Sequence, residues 1–259
     1  MVARGVAPVA IYPDLAGKVA LVTGGSRGIG AATCEALAAN RVRVAVAALP
    51  GDGIDEMVER LSGDAIGVAA DCTNPEDVAA VRDKVERELG PVDLLCPFAG
   101  GFESFTAVER LQLEEWRRVL EVNLTATFIT VSAFLPGMIE RQAGSIVTMA
   151  SISARFLDKP TMAAYAAAKA GVVMFTRHLA LEVGKYGIRA NCVAPGTTLS
   201  ERIKRVMDSE SIERTAALSP LGRIGMPEDT ANGTLFLLSE SASWLTGVTL
   251  DIAGGRVML

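Results

Sequence analysis

The chain has 259 residues, half of them hydrophobic, with 25 Lys and Arg against 30 Asp and Glu and a formal net charge of -5. That length supports a large buried core, and the composition excludes a disordered, collagenous or disulfide-rich chain. The acidic balance lacks the clustered cations that nucleic acid or an anionic membrane would require, so neither is an expected partner.

The first stretch has one Arg and a short apolar run broken by Pro8 and Pro13, too weak for a secretory signal. It reads as an arm over residues 1–14, flexible or draped on a partner. Residues 15–259 follow with no linker, composition break or repeat, as one expected domain. Short apolar runs alternate there with longer helical patterns, which implies an α/β fold: a single Rossmann-type, doubly wound domain with a seven-stranded parallel sheet flanked by helices. Strands are expected at Val19–Thr23, Val42–Ala47, Ile66–Ala70, Val92–Phe98, Ser145–Met149, Arg189–Ala194 and Thr249–Ile252.

The first strand runs directly into GSRGIG and then a helical pattern. Gly24 permits the turn, Gly28 lets backbone approach a pyrophosphate, and Gly30 lets the helix sit close to the sheet. The helix N-terminus offers unpaired N–H groups to the anion. At the end of the second strand, Ala47-Ala48-Leu49 carries no acid to bind ribose hydroxyls, whereas Arg27 offers a planar fork to a 2′-phosphate. NADP(H) is therefore favoured over NAD(H), although Asp52 is near enough for an unusual turn to bring it in. Asp71, after the third strand, is a candidate for the adenine amino group or a cap of the next turn.

Asn74-Pro75 is a cap and first-turn pair, and Val78, Val81, Val85 and Leu89 then recur at helical spacing until Gly90-Pro91. Asn123, in EVNLTATF, is awkward in mid-helix unless its amide has a bonding task. Ser151 follows a strand and sits where open α/β sheets bind ligands, with Ser153 as the competing hydroxyl. In YAAAK, Tyr165 and Lys169 are four apart and share a helical face, so an ammonium beside the phenol favours the phenolate and suits it to general acid/base transfer.

The helix from Ala163 to Lys185 has no charge between Lys169 and Arg177. It either packs on another subunit or is buried within its own. The longest apolar candidate for a bilayer span is taken as Met162–Phe175, which Lys169 interrupts and which falls short of roughly 18 to 20 residues. The segment 196–223 shows no clear pattern and reads as a substrate loop or lid. His178 reads as a packing or interface residue. Cys34, Cys72, Cys96 and Cys192 have no metal-ligand or disulfide spacing, so no metal is expected and a reducing cytoplasm is the expected location.

These motifs together resemble the classical short-chain dehydrogenase/reductase family, from Leu15 to Gly255. TGGSRGIG matches the family's cofactor motif, Asn123, Ser151, Tyr165 and Lys169 its catalytic tetrad, and Pro195-Gly196 the turn beside the nicotinamide. The resemblance implies that Tyr165 exchanges the proton, that Lys169 lowers its pKa and holds the nicotinamide ribose, that Ser151 orients a carbonyl and that Asn123 maintains a water-linked proton path. It adds Ser26, Ile29, Cys72, Ala99, Gly100, Tyr165, Thr198 and Ser200 to the cofactor contacts already named, and a homotetramer or homodimer as the assembly. Two departures stand out: Pro97-Phe98 replaces the family's Asn-Asn before Ala99-Gly100, and one extra residue separates Ser151 from Tyr165.

The implied reaction is hydride transfer between the nicotinamide and a small-molecule carbonyl or secondary alcohol. Phe102, Phe105, Phe156, Leu157 and Met162 suggest a bulky apolar ligand, or simply pack a lid. The overall pattern is similar to 3-oxoacyl carrier-protein reductases, in which basic residues dock the acidic carrier; Arg141 fits one such position and Tyr186 occupies another. Glu201–Arg214 carries four acidic and four basic side chains, which keeps a free ketone, polyol or tailoring substrate open. A dinucleotide-binding sensor or scaffold without turnover is the alternative of a different class.

Overall fold

The computed structural model describes residues 8–61, 63–101, 106–156 and 162–258. Its strands are β1 (Val19–Thr23), β2 (Arg43–Ala48), β3 (Ala65–Ala69), β4 (Leu94–Pro97), β5 (Gly144–Met149), β6 (Ile188–Pro195) and β7 (Thr249–Ile252). They form one sheet in the order β3-β2-β1-β4-β5-β6-β7, with every neighbouring pair parallel. The order reverses between β1 and β4, so the crevice at their carboxyl ends is where such a sheet receives a ligand.

The helices are α1 (Gly28–Ala39), α2 (Ile54–Arg60), α3 (Pro75–Glu88), α4 (Leu113–Leu120), α5 (Ala126–Arg141), α6 (Ala163–Val183), α7 (Glu201–Val206), α8 (Ser209–Ala217) and α9 (Pro227–Leu238). Alternate strand residues feed two apolar layers, as the period of two requires. Ala20, Val22, Val44 and Val46 pack with α1 and α9. Val19, Leu21, Ala45 and Ala47 pack with α3, α5 and α6. Asn74 caps α3 through an acceptor bond from the Glu76 N–H at 2.9 Å, and Val78, Val81 and Val85 are its buried face.

Several details differ from the sequence expectations. β4 stops at Pro97, whose ring has no N–H to offer β5. β4 and β5 are in register only at Leu94↔Ser145 and Leu95↔Ile146, whereas β5 and β6 stay paired as far as Met149↔Val193. The two central strands therefore part at the end nearest the crevice. Segment 196–223 is not patternless. It carries α7, capped by Ser200 Oγ accepting from the Ile203 N–H, and α8, capped by Asp208 Oδ1 accepting from the Ser211 N–H. A parallel bridge between Thr198 and Gly225 closes the excursion at its base.

The expectation about long apolar runs is corrected. Residues 122–139 carry no charged side chain, and Leu113–Arg141 is one helix long and apolar enough, by length and composition, to cross a membrane. Here it lies along the sheet. Asn123, Thr127 and Thr130 are buried in it, the two threonines donate to carbonyls one turn back, and α5 packs on α3 and β4. Residues 8–12 of the N-terminal arm are tied to their own chain. Asn232 accepts from the Ala10 N–H and donates to Pro8, while Asn40 donates to Ala10 and accepts from the Tyr12 N–H at 2.6 Å.

Candidate active site

The turn from β1 to α1 is built so tightly that side chains are excluded. A Cβ on Gly30 would lie 2.1 Å from the Gly24 carbonyl oxygen, and one on Gly24 would lie 3.1 Å from the Phe98 carbonyl oxygen. Gly24 and Gly28 also take φ of 65° and 53°, where glycine carries no Cβ penalty. α1 begins at Gly28 with Arg27 as its cap residue and no side-chain capping bond. Bare backbone and an uncapped 12-residue helix together make a receptor for an anionic group. Ser26 is buried at this turn, and Ile29 packs into the α1/α9 layer.

Other cofactor candidates line the carboxyl ends of the strands. Ala99 donates its N–H to Thr23 Oγ1 at 3.0 Å, which fixes the backbone after β4 beside the glycine turn. Gly100 has φ of 140°, and a Cβ there would lie 2.7 Å from Asn123 Oδ1. Asp71 Oδ1 accepts from the Thr73 N–H and hydroxyl, so this carboxylate closes the turn leading to α3. Burial pushes the Cys72 thiol up to about 11, which keeps it neutral. Gly196, after Pro195 ends β6, donates to Ile252, and Thr198 donates its hydroxyl back to Gly196.

Asn123 lies in a π-helical turn, Glu121–Thr125, between α4 and α5. Its Oδ1 accepts from the Gly101 N–H at 2.9 Å, and its Nδ2 donates to the Gly101 carbonyl at 2.7 Å and the Val119 carbonyl at 3.0 Å. The bonding task is thus to hold the chain after Gly100 against the widened helix. A wide turn of this kind leaves no local sequence pattern, and only the awkward polar residue signals it.

Ser151 starts the single turn after β5. Its Oγ accepts from the Ser153 N–H at 3.2 Å, and a serine hydroxyl that accepts still has its proton to donate. Ser153 therefore contributes backbone to Ser151. Lys169, on α6, is 2% exposed. Its Nζ donates to the Met149 carbonyl at 2.9 Å and lies 5.7 Å from the centre of the Tyr165 ring. Burial lowers the Lys169 amine to about 8, because a charge stripped of water is costly when its partner is a neutral carbonyl. Lys169 thus ties α6, which also carries Tyr165, to the carboxyl end of β5 two residues before Ser151.

Two ion pairs at the site carry further information. Arg155, four residues past Ser151, pairs with Asp251 of β7, tying the serine loop to the far edge of the sheet; no sequence spacing announces a partner 96 residues away. Arg27 Nη2 pairs with Asp52 Oδ1 at 2.9 Å. Phe156 and Met162 flank the serine loop, whereas Phe102, Phe105 and Leu157 lie outside the described residues. Among the described residues, no group of three or more His, Cys, Asp or Glu side chains is placed to hold a metal.

Comparison with known proteins decides the family. A family model described as enoyl-(acyl carrier protein) reductase matches residues 24–256. The chain belongs to the classical short-chain dehydrogenase/reductase family. It is an oxidoreductase similar to ketoreductases of that family. It is 39% identical over 248 residues to the 3-oxoacyl-[acyl-carrier-protein] reductase of Vibrio cholerae, covering 95% of this chain and 100% of that protein. It is 40% identical over 231 residues to an inactive 2-(S)-hydroxypropyl-CoM dehydrogenase of Xanthobacter autotrophicus, covering 86% and 100%. A solved 3-oxoacyl-[acyl-carrier protein] reductase from Brucella melitensis, with bound NAD, aligns with a TM-score of 0.88 and 31% identity over 100% of this chain and 99% of that one.

Proposed function

We propose that this short-chain dehydrogenase/reductase is a nicotinamide-dependent ketoreductase, with Tyr165 as its general acid/base. The observation that carries this reading is Lys169 Nζ, buried, fixed to the end of β5 two residues before Ser151, and set beneath the Tyr165 ring. The glycine turn fits a dinucleotide, since its bare backbone and uncapped helix suit a pyrophosphate and any Cβ at Gly30 would close it. When bound, the nicotinamide supplies or accepts the hydride.

The residues of this chain do the rest. Ser151 directs its hydroxyl proton at the substrate oxygen, Tyr165 passes a proton to that oxygen in reduction or takes one in oxidation, and Lys169 stabilises the phenolate. Asn123 holds Gly101, so that the backbone after β4 keeps its place next to the glycine turn, and is the residue at which a water-linked proton path would begin. Gly196, Thr198 and Ser200 hold the carboxamide end. Arg27 is the group that favours NADP(H) over NAD(H).

A small carbonyl compound is the substrate class we assign, in preference to an acyl chain on an acidic carrier protein. Arg141, the residue matching a carrier-docking position, donates instead to the Val92 carbonyl at 2.8 Å. Lys204 and Arg214 on the lid are paired with Glu201 and Glu210, so this face presents little net positive charge. The assembly we assign is a homodimer or homotetramer through α5 and α6. Phe128 meets Phe175 edge-on at 6.2 Å, and Phe128, Met174 and Leu181 are exposed on the same two helices. The four buried, free cysteines fit a reducing cytoplasm.

The likeness to an inactive relative favours one rival, a dinucleotide-binding sensor without turnover. A panel of free ketones, a polyol and a 3-oxoacyl thioester, followed by loss or gain of reduced nicotinamide, separates the two. Turnover of a ketone that Tyr165→Phe abolishes supports the reductase. Dinucleotide binding with no turnover across the panel supports the sensor.

A further inference from the structure

The connection after β2, Leu49-Pro50-Gly51-Asp52-Gly53, folds back on the glycine turn. Gly51 and Gly53 take φ of 79° and 74°, and the Asp52 N–H donates to the Leu49 carbonyl at 3.1 Å. A Cβ on Gly51 would meet nothing, so glycine is needed there for its backbone angle. The product of this turn is the Arg27–Asp52 pair, with side chains 68% and 36% exposed. The acid missing from the end of β2 is thereby returned four residues later, directly onto the cation of the neighbouring turn.

We propose that Asp52 sets the choice between phosphorylated and unphosphorylated nicotinamide dinucleotides by competing for Arg27; this rests on the nicotinamide reading above. A 2′-phosphate binds through the planar guanidinium fork. On this chain the fork already holds a carboxylate. A phosphorylated dinucleotide must break that pair and then sit beside the released Asp52 charge. An unphosphorylated one leaves the pair intact, and the Asp52 carboxylate, oriented by Arg27, accepts from a ribose hydroxyl. Because the pair is exposed, breaking it costs little, so Asp52 narrows the NADP(H) preference that Arg27 gives without reversing it. The competition is electrostatic and surface-exposed, so salt near 0.1 M, with a screening length of about 10 Å, weakens the phosphorylated ligand more than the other.

The test is calorimetric titration of the full chain with NADPH and with NADH, for wild type, Asp52→Asn, Asp52→Ser and Arg27→Ala. Asn keeps the shape and the Leu49 backbone bond while removing the charge. Both Asp52 variants are expected to bind NADPH about 3- to 5-fold tighter and NADH about threefold weaker or more, the range that one exposed charge pair and one lost acceptor allow. Arg27→Ala is expected to lower NADPH affinity more than NADH affinity. In the Arg27→Ala background, the NADPH gain from Asp52→Asn should shrink. A ratio of the two dissociation constants that stays within twofold of wild type in both Asp52 variants overturns the inference and leaves the nicotinamide reading standing. Wild type that binds neither dinucleotide overturns both.

Discussion

Lys169 and Arg27 are cations on two sides of one crevice, yet the first is 2% exposed and its partner is a backbone carbonyl, while the second is 68% exposed and paired with a carboxylate. The interior places the Lys169 amine where its charge is expensive, so burial brings it to about 8 and makes it responsive to pH. The surface leaves the Arg27 guanidinium in water, where its charge is cheap to hold and screened by salt. In the proposed reductase, one cation would act by being tuned and the other by exchanging counterions. The reacting half of the site should therefore answer to pH and burial, and the selecting half to charge substitution and salt.

The largest expected effect lies at the buried half. Tyr165→Phe should lower kcat by about 10³-fold or more, within the range of a lost general acid. The dinucleotide dissociation constant and the melting temperature should stay close to wild type, because only a hydroxyl is lost. A comparable loss of affinity in calorimetry would mean that the Tyr165 hydroxyl acts chiefly in holding the cofactor, against the proton-transfer role.

Lys169→Met sharpens the comparison next. Its kcat should fall by about 10²-fold as the ammonium beside the phenol disappears. In wild type, kcat/KM for reduction should decline as pH rises through about 8, where the amine loses its proton, and this limb should vanish in the variant. The same shift makes a stability statement. The folded-state amine, at about 8, lies below the usual 10.5, so the charged form costs about 3 kcal/mol that is fully present below pH 8 and relieved as pH climbs towards 10.5. Denaturant melts of the ligand-free protein at pH 7 and pH 10 should show wild type gaining on Lys169→Met across that interval. An unchanged gap would place the amine in a wetter setting.

Asn123→Ala should have a smaller but definite effect. It leaves the half-buried Gly101 N–H and carbonyl without their side-chain partner, a loss of about 0.5 to 1.5 kcal/mol for each bond. A lower denaturation midpoint with weaker dinucleotide binding is expected, since Gly100 lies against this side chain. The smallest effect belongs to the exposed half. Raising salt from 0.05 to 0.5 M should weaken NADPH a few-fold and NADH less, and should leave the pH limb of Lys169 in place. Parallel salt responses for the two dinucleotides would erase the distinction between the halves.

Much of this architecture is legible before any coordinates. Apolar runs buried on both faces mark β1, β2, β5 and β6, and Gly24, Gly28 and Gly30 mark the anion turn by the backbone they permit. The parts that escape do so for physical reasons. α7 and α8 are short, and their mixed charges hide any apolar stripe, although Ser200 and Asp208 stand as caps before them. The long run 122–139 is masked by Thr127, Thr130 and Asn123, which are polar in composition but satisfied within the helix and its neighbours. The π turn at Asn123, the parting of β4 from β5 after Leu95, and the Arg155–Asp251 pair depend on contacts between distant segments. Asp52 lies between these cases: its presence is readable, but two left-handed glycines decide where it points.

The most direct measurement follows deuterium from a nicotinamide labelled at C4 into a ketone, for wild type and Tyr165→Phe, with dinucleotide binding checked in both. One deuterium on the carbinol carbon is expected with wild type and almost none with the variant at equal occupancy. Equal label in both, or saturated dinucleotide with no label passed to any ketone by wild type, would contradict it.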